Sequence, residues 1–151
     1  MAWSSSELTS AVRTIVIRIV KATFTEPKYM NVNNYPHPYG IFIAGNDLGT
    51  ASQSYLYCAA YGNGRFIVRG FGPGAFQMNG FQGDANAAVH KAAGVGQPVT
   101  QEIAMSVKGS KVECAINGTV VASYDKSALV TAGKLSQRTE FMASASRITR
   151  K

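Results

Sequence analysis

Between Ser54 and Gly74 apolar and polar side chains alternate with the period of two that marks a strand with one buried face. Tyr55, Tyr57, Ala59 and Tyr61 fall on one side, Leu56, Cys58 and Ala60 on the other. Gly62, Asn63 and Gly64 tolerate the positive φ that reverses a hairpin without splaying it. In the returning strand Arg65, Ile67 and Arg69 share a face opposite Phe66 and Val68. The pattern predicts a hairpin over 54–71 with one apolar face and one face of three tyrosines and two arginines.

The same pattern extends along the chain. Residues 1–10 are polar and serine-rich and are expected to be loose. From Ala11 to Phe24 β-branched residues dominate, and Val20, Ala22 and Phe24 alternate with Lys21, Thr23 and Thr25, which predicts a long strand. Pro27 to Pro38 reads as a loop, Tyr39 to Asn46 as a strand, and Ala75 to Asn79 as a short one. Asp84 to Ala93 is alanine-rich and fits either a helical turn or an irregular edge strand. Ile103, Met105 and Val107 face away from Glu102, Ala104, Ser106 and Lys108, and Val112, Cys114 and Ile116 oppose Lys111 and Glu113. Asn117 and Gly118 then form the strongest hairpin signal in the chain, with Thr119 to Tyr124 as partner strand.

These 151 residues make one domain with a sizeable core, and 46% hydrophobic against 15% charged residues is a globular balance. The net charge of +7 raises nucleic acid and membrane as partners, but residues 134–151 alone carry +4 of it. The remaining body holds no stripe of lysine and arginine for phosphates, so neither partner is expected. The arginines and lysine within Ala11 to Phe24 exclude a spanning helix or signal peptide there. Cys58 and Cys114 both lie on the apolar phase, and buried free thiols are expected, a bridge between neighbouring strands being the alternative.

Together the run Tyr39 to Leu48, Tyr55 with Tyr57, Gly64 to Arg69, Glu102 to Lys108 and Val112 to Val121 resembles the concanavalin A-like lectin/glucanase superfamily. Within it the chain is most similar to laminin-G-like bacterial domains of unknown function related to the keto-disaccharide hydrolase group. The resemblance implies an all-β jelly-roll sandwich of two curved antiparallel sheets over residues 11–133, with glycans bound or cleaved in a groove. It permits a secreted or periplasmic location. Residues 134–151 depart from it, since such domains close with an alternating strand and none is legible here. Back-translation of Ser136 to Thr149 with a chosen set of codons yields S-T-D-G-V-Y-G-I-R-F-A-H-N in another frame, a closing strand of the family type. The tail is therefore expected to be an out-of-frame product, and the gene's nucleotide sequence should carry that second reading. Codons incompatible with it would remove the idea.

No catalytic set emerges. Glu102 and Glu113 lie on strands expected to pair, but Lys108 and Lys111 nearby point to a solvated outer face. Asp47 and Asp84 sit at turns, where Asp caps backbone donors, and Asp47 alone is a weak calcium ligand. His37 and His90 have no nucleophile at triad spacing. Asn117 and Thr119 match a glycosylation sequon that the turn itself explains. No metal or cofactor is expected. Sugars are recognised by flat rings over their C–H faces and by planar donors at their hydroxyls. The candidate ligand-binding residues are therefore Tyr55, Tyr57, Tyr61, Arg65 and Arg69, with Asn79 and His90 beside them. Non-catalytic carbohydrate binding is the expected function. The alternatives are a glycoside-processing enzyme and a laminin-G-like protein-interaction domain.

Overall fold

The structure, a computed structural model, describes residues 18–31 and 37–135, and the backbone of 144–147. The expectations for residues 1–17, 32–36, 136–143 and 148–151 lie outside the described residues. Among the described residues, ten strands and one helix follow in order: β1 (Arg18–Glu26), β2 (Tyr39–Asn46), β3 (Ser54–Ala60), β4 (Arg65–Phe71), β5 (Ala75–Gln77), β6 (Asp84–Ala85), β7 (Val99–Lys108), β8 (Lys111–Ile116), β9 (Thr119–Asp125), α1 (Lys126–Thr131) and β10 (Ser144–Arg147). They build an all-β jelly-roll sandwich. One antiparallel sheet has the order β1-β7-β8-β9; the other runs β10-β2-β3-β4-β5, with β6 also on β4.

Local chemistry accounts for most of these elements. Half-buried and exposed residues alternate along the whole of β1, as the spacing of Val20, Ala22 and Phe24 predicts. Asn117 and Gly118 join β8 to β9 with φ of 52° and 84°, the paired positive values that a two-residue hairpin requires. Gly40 permits close strand approach, since a Cβ there would land on the Cys58 carbonyl. The core fills with Ile41, Ile43, Leu56 and Val68 from one sheet and Ile103, Met105, Val112 and Ile116 from the other. Each such side chain contributes about 1.5–3 kcal/mol by leaving water.

Cys58 and Cys114 are not free thiols. They form a disulfide across 56 residues of sequence, and it joins β3 in one sheet to β8 in the other. The two positions face each other across the sandwich rather than along neighbouring strands, which is why strand phase alone did not pair them. Residues 126–131 form α1 where no helix was foreseen, Leu135 joins the core, and β10 pairs antiparallel with β2. The place beside β2 is thus filled, and packing continues past residue 133.

Asp84 to Ala93 resolves into β6 and a loop held by two side-chain amides, Gln101 buried and Asn117 half-buried. Gln101, fully buried on the inward face of β7, accepts from the His90 N–H at 3.0 Å and donates to the His90 carbonyl at 2.7 Å. The Asn117 Nδ2 donates to Ala88 O at 2.8 Å and to Gln101 Oε1 at 2.7 Å, while its Oδ1 accepts from the Glu102 N–H at 2.9 Å. Buried polar groups satisfied in this way stabilise a single arrangement.

Two stability predictions follow from this packing. A Cys58→Ala, Cys114→Ala double variant is expected to lose about 2–4 kcal/mol, some 5–15 °C in thermal midpoint. The native chain should show no thiol reactive to Ellman's reagent until it is unfolded and reduced, and an equal midpoint with and without the bond would contradict this. Burial pushes the Tyr39 phenol up to about 12, the polar Gln101 side chain opposing the shift and the Glu26 carboxylate adding to it. The folded state therefore holds this proton longer than the unfolded chain, and the associated stability, present below pH 10, is lost between about pH 10 and 12. Denaturant titrations should show Tyr39→Phe losing about 2–3 kcal/mol less than wild type over that window. Parallel losses in both proteins would refute the assignment.

Candidate functional site

The inward phase of the β3–β4 hairpin, Leu56, Cys58, Ala60, Phe66 and Val68, is sealed in the core. The other phase must therefore face away from the partner sheet. Pairing sets Tyr57 against Arg69, Ala59 against Ile67 and Tyr55 against Phe71. Phe42 on β2 lies opposite Tyr57, and Gln77 on β5 lies opposite Arg69. Tyr57 and Arg69 thus share one face, as the alternation requires.

That face is open only at one end. Ala59 and Ile67 are fully buried, and residues 78–83 run over the β4 side of them. Three predicted ligand residues secure this segment. Arg65 donates from Nε to Gln82 O at 3.1 Å and from a terminal nitrogen to Gly83 O at 2.8 Å. Asn79 accepts the Val68 N–H at 2.9 Å and donates to Phe66 O at 3.1 Å, standing in for a strand between β5 and β6. Arg69 donates to Phe81 O, and its guanidinium lies 5.6 Å from the centre of the Phe81 ring.

The open end is a groove of about 430 Å³ lined by Tyr55, Tyr57, Arg69, Gly70, Phe71, Ala75, Phe76 and Gln77. Its floor is aromatic. The Tyr55 ring stacks on Tyr57 at 6.1 Å and on Phe71 at 6.4 Å, with planes inclined by 30° and 23°, and meets Phe42 edge-on at 6.2 Å. The Lys134 ammonium lies 5.1 Å from the centre of the Phe76 ring, which packs towards the core.

Of the seven predicted residues, Tyr55, Tyr57 and Arg69 come together in this groove. Tyr61 lies beyond β3 in the hairpin turn, its N–H on Arg65 O at 2.9 Å. Arg65 and Asn79 carry the covering segment. His90 lies in the loop after β6, where Nδ1 donates to Thr100 O of β7 at 2.8 Å. Phe71 and Gln77 in the groove lining, and Phe42 against Tyr55, were not foreseen. Phe71 is two residues from Arg69 and so in phase with it; the phase of Phe42 and Gln77 becomes visible only once strand registers are known.

Glu102 and Glu113 do not approach one another. Glu113 faces Ser106, four residues along β7 from Glu102, or about 13 Å of strand. They lie on the outer face of the opposite sheet, where Glu102 meets Lys21 at 3.8 Å. Asp47 occupies a turn with φ of 47°, bonded by the Asn46 amide at 3.1 Å. Among the described residues no three His, Cys, Asp or Glu side chains gather where they could hold a metal ion, and no helix is long and apolar enough to cross a membrane.

No protein-family model and no curated protein matches this chain. Among solved structures it is similar to sheep galectin-11 in complex with glycerol, at 12% identity and a TM-score of 0.40, over 76% of this chain and 81% of that one.

Proposed function

We propose that this domain binds carbohydrate without transforming it, through the groove between Tyr55, Tyr57, Phe71 and Gln77. The observation that carries the reading is the set of near-parallel rings Tyr57, Tyr55 and Phe71. Such a surface covers the C–H face of a pyranose, while the phenol hydroxyls and the Gln77 amide reach the sugar's edge. Arg69 walls the groove, with one terminal nitrogen bonded to the Phe81 carbonyl. Hydrolysis would need two carboxylates flanking the bond, and the groove lining contains no Asp or Glu. That composition supports binding over glycosidase chemistry. The laminin-G-like alternative, a protein-interaction domain, predicts no sugar affinity at all.

A glycan array followed by calorimetry on the leading ligand tests this directly. Tyr57→Ala is expected to weaken binding about tenfold, and Tyr55→Ala, which removes the central ring, by more. Neither residue contributes to the sealed core, so both variants should melt close to wild type. Sugar binding that survives the double variant would refute the groove, and an array with no ligand would favour the protein-interaction reading.

A further inference from the structure

Arg69 is the only charged side chain among the described residues that is buried, with 5% of its surface exposed. A guanidinium removed from water needs a counter-charge or a full set of acceptors. Among the described residues this one has neither. One terminal nitrogen donates to the Phe81 carbonyl and the Phe81 ring lies against the group, but the buried Nε–H has no acceptor. Neither the Lys21–Glu102 nor the Lys111–Asp125 ion pair involves it. The groove that it lines has no carboxylate. One buried positive group thus faces a cleft with nothing opposite in sign.

We infer that the ligand supplies the missing charge: the groove takes an acidic glycan, one whose sugar carries a carboxylate or sulfate directed at Arg69. This deepens the carbohydrate reading and rests on it. Planar anions suit a guanidinium because both present parallel hydrogen-bonding edges, and a dry site strengthens the contact. The aromatic floor favours a sugar over an acidic peptide, whose backbone offers no comparable flat C–H face.

The probes are tetragalacturonate, its carboxyl-reduced neutral counterpart, a sulfated galactan tetrasaccharide and a tetraglutamate peptide, each titrated at low and high salt. The expected result is that tetragalacturonate, the sulfated sugar or both bind about tenfold or more tightly than the neutral sugar, with a preference that shrinks as salt rises. The two acidic sugars distinguish carboxylate from sulfate as the preferred group. Arg69→Gln should collapse the acidic-to-neutral ratio towards one. Because that residue is buried, Gln77→Glu on the exposed rim provides the second arm: it should also collapse the ratio, through repulsion, in a chain with a native melting profile. Equal affinity for acidic and neutral sugars would overturn the inference and leave the carbohydrate reading intact. Binding of no sugar would remove both. Tetraglutamate binding as tightly as the acidic sugars would overturn the glycan assignment.

Discussion

Burial of one phase of the central hairpin governs the rest of this molecule. Leu56, Cys58, Phe66 and Val68 have no alternative to the core, and a slip of one residue would put Tyr57 and Arg69 inside in their place. The Cys58–Cys114 bond fixes that choice, because Cys58 can reach the other sheet only from the inward phase. Once the phase is set, the composition of the outer face is no longer adjustable: it must present Tyr55, Tyr57, Ala59, Ile67, Arg69 and Phe71. Stability and recognition are thus written into alternate positions of the same strands.

Half of that outer face is then covered. Arg65, Arg69 and Asn79 hold residues 78–83 by bonding to backbone rather than to other side chains. The following loop is held from the opposite side by Gln101 and Asn117. Both arrangements place a polar side chain where a neighbouring strand would otherwise supply donors and acceptors. The groove is the part of the face that neither reaches. Its length is set by where this cover stops, and its charge by Arg69, which serves cover and cleft together.

What was legible in the chain was local. The Asn117–Gly118 turn, the alternation of β1 and the two-faced hairpin depend on residues close in sequence, and the structure has all three. The disulfide was not legible, because it depends on how two sheets stack. Nor were the roles of Asn79 and His90, whose partners lie 13 and 10 positions away in elements of uncertain register. Ser144–Arg147 reads Ser, Ala, Ser, Arg and offers no apolar alternation, so only its pairing with β2 reveals a strand. The aromatic floor falls between these cases. Tyr55 and Tyr57 were visible as a pair, but their continuation into Phe71 and Phe42 needed the lateral order of strands.

The Asn117 carboxamide is also a point of chemical ageing. It precedes a glycine, the neighbour that least hinders cyclisation and loss of ammonia. Deamidation there would replace two donated hydrogens with oxygen lone pairs facing the Ala88 carbonyl and the Gln101 amide oxygen. Attraction at both contacts would turn to repulsion, while the backbone ladder between β7 and β8 would remain. An aged preparation would thus keep its sheets and lose its hold on the loop at 86–91, damage that circular dichroism would miss and a one-dalton mass increase would reveal.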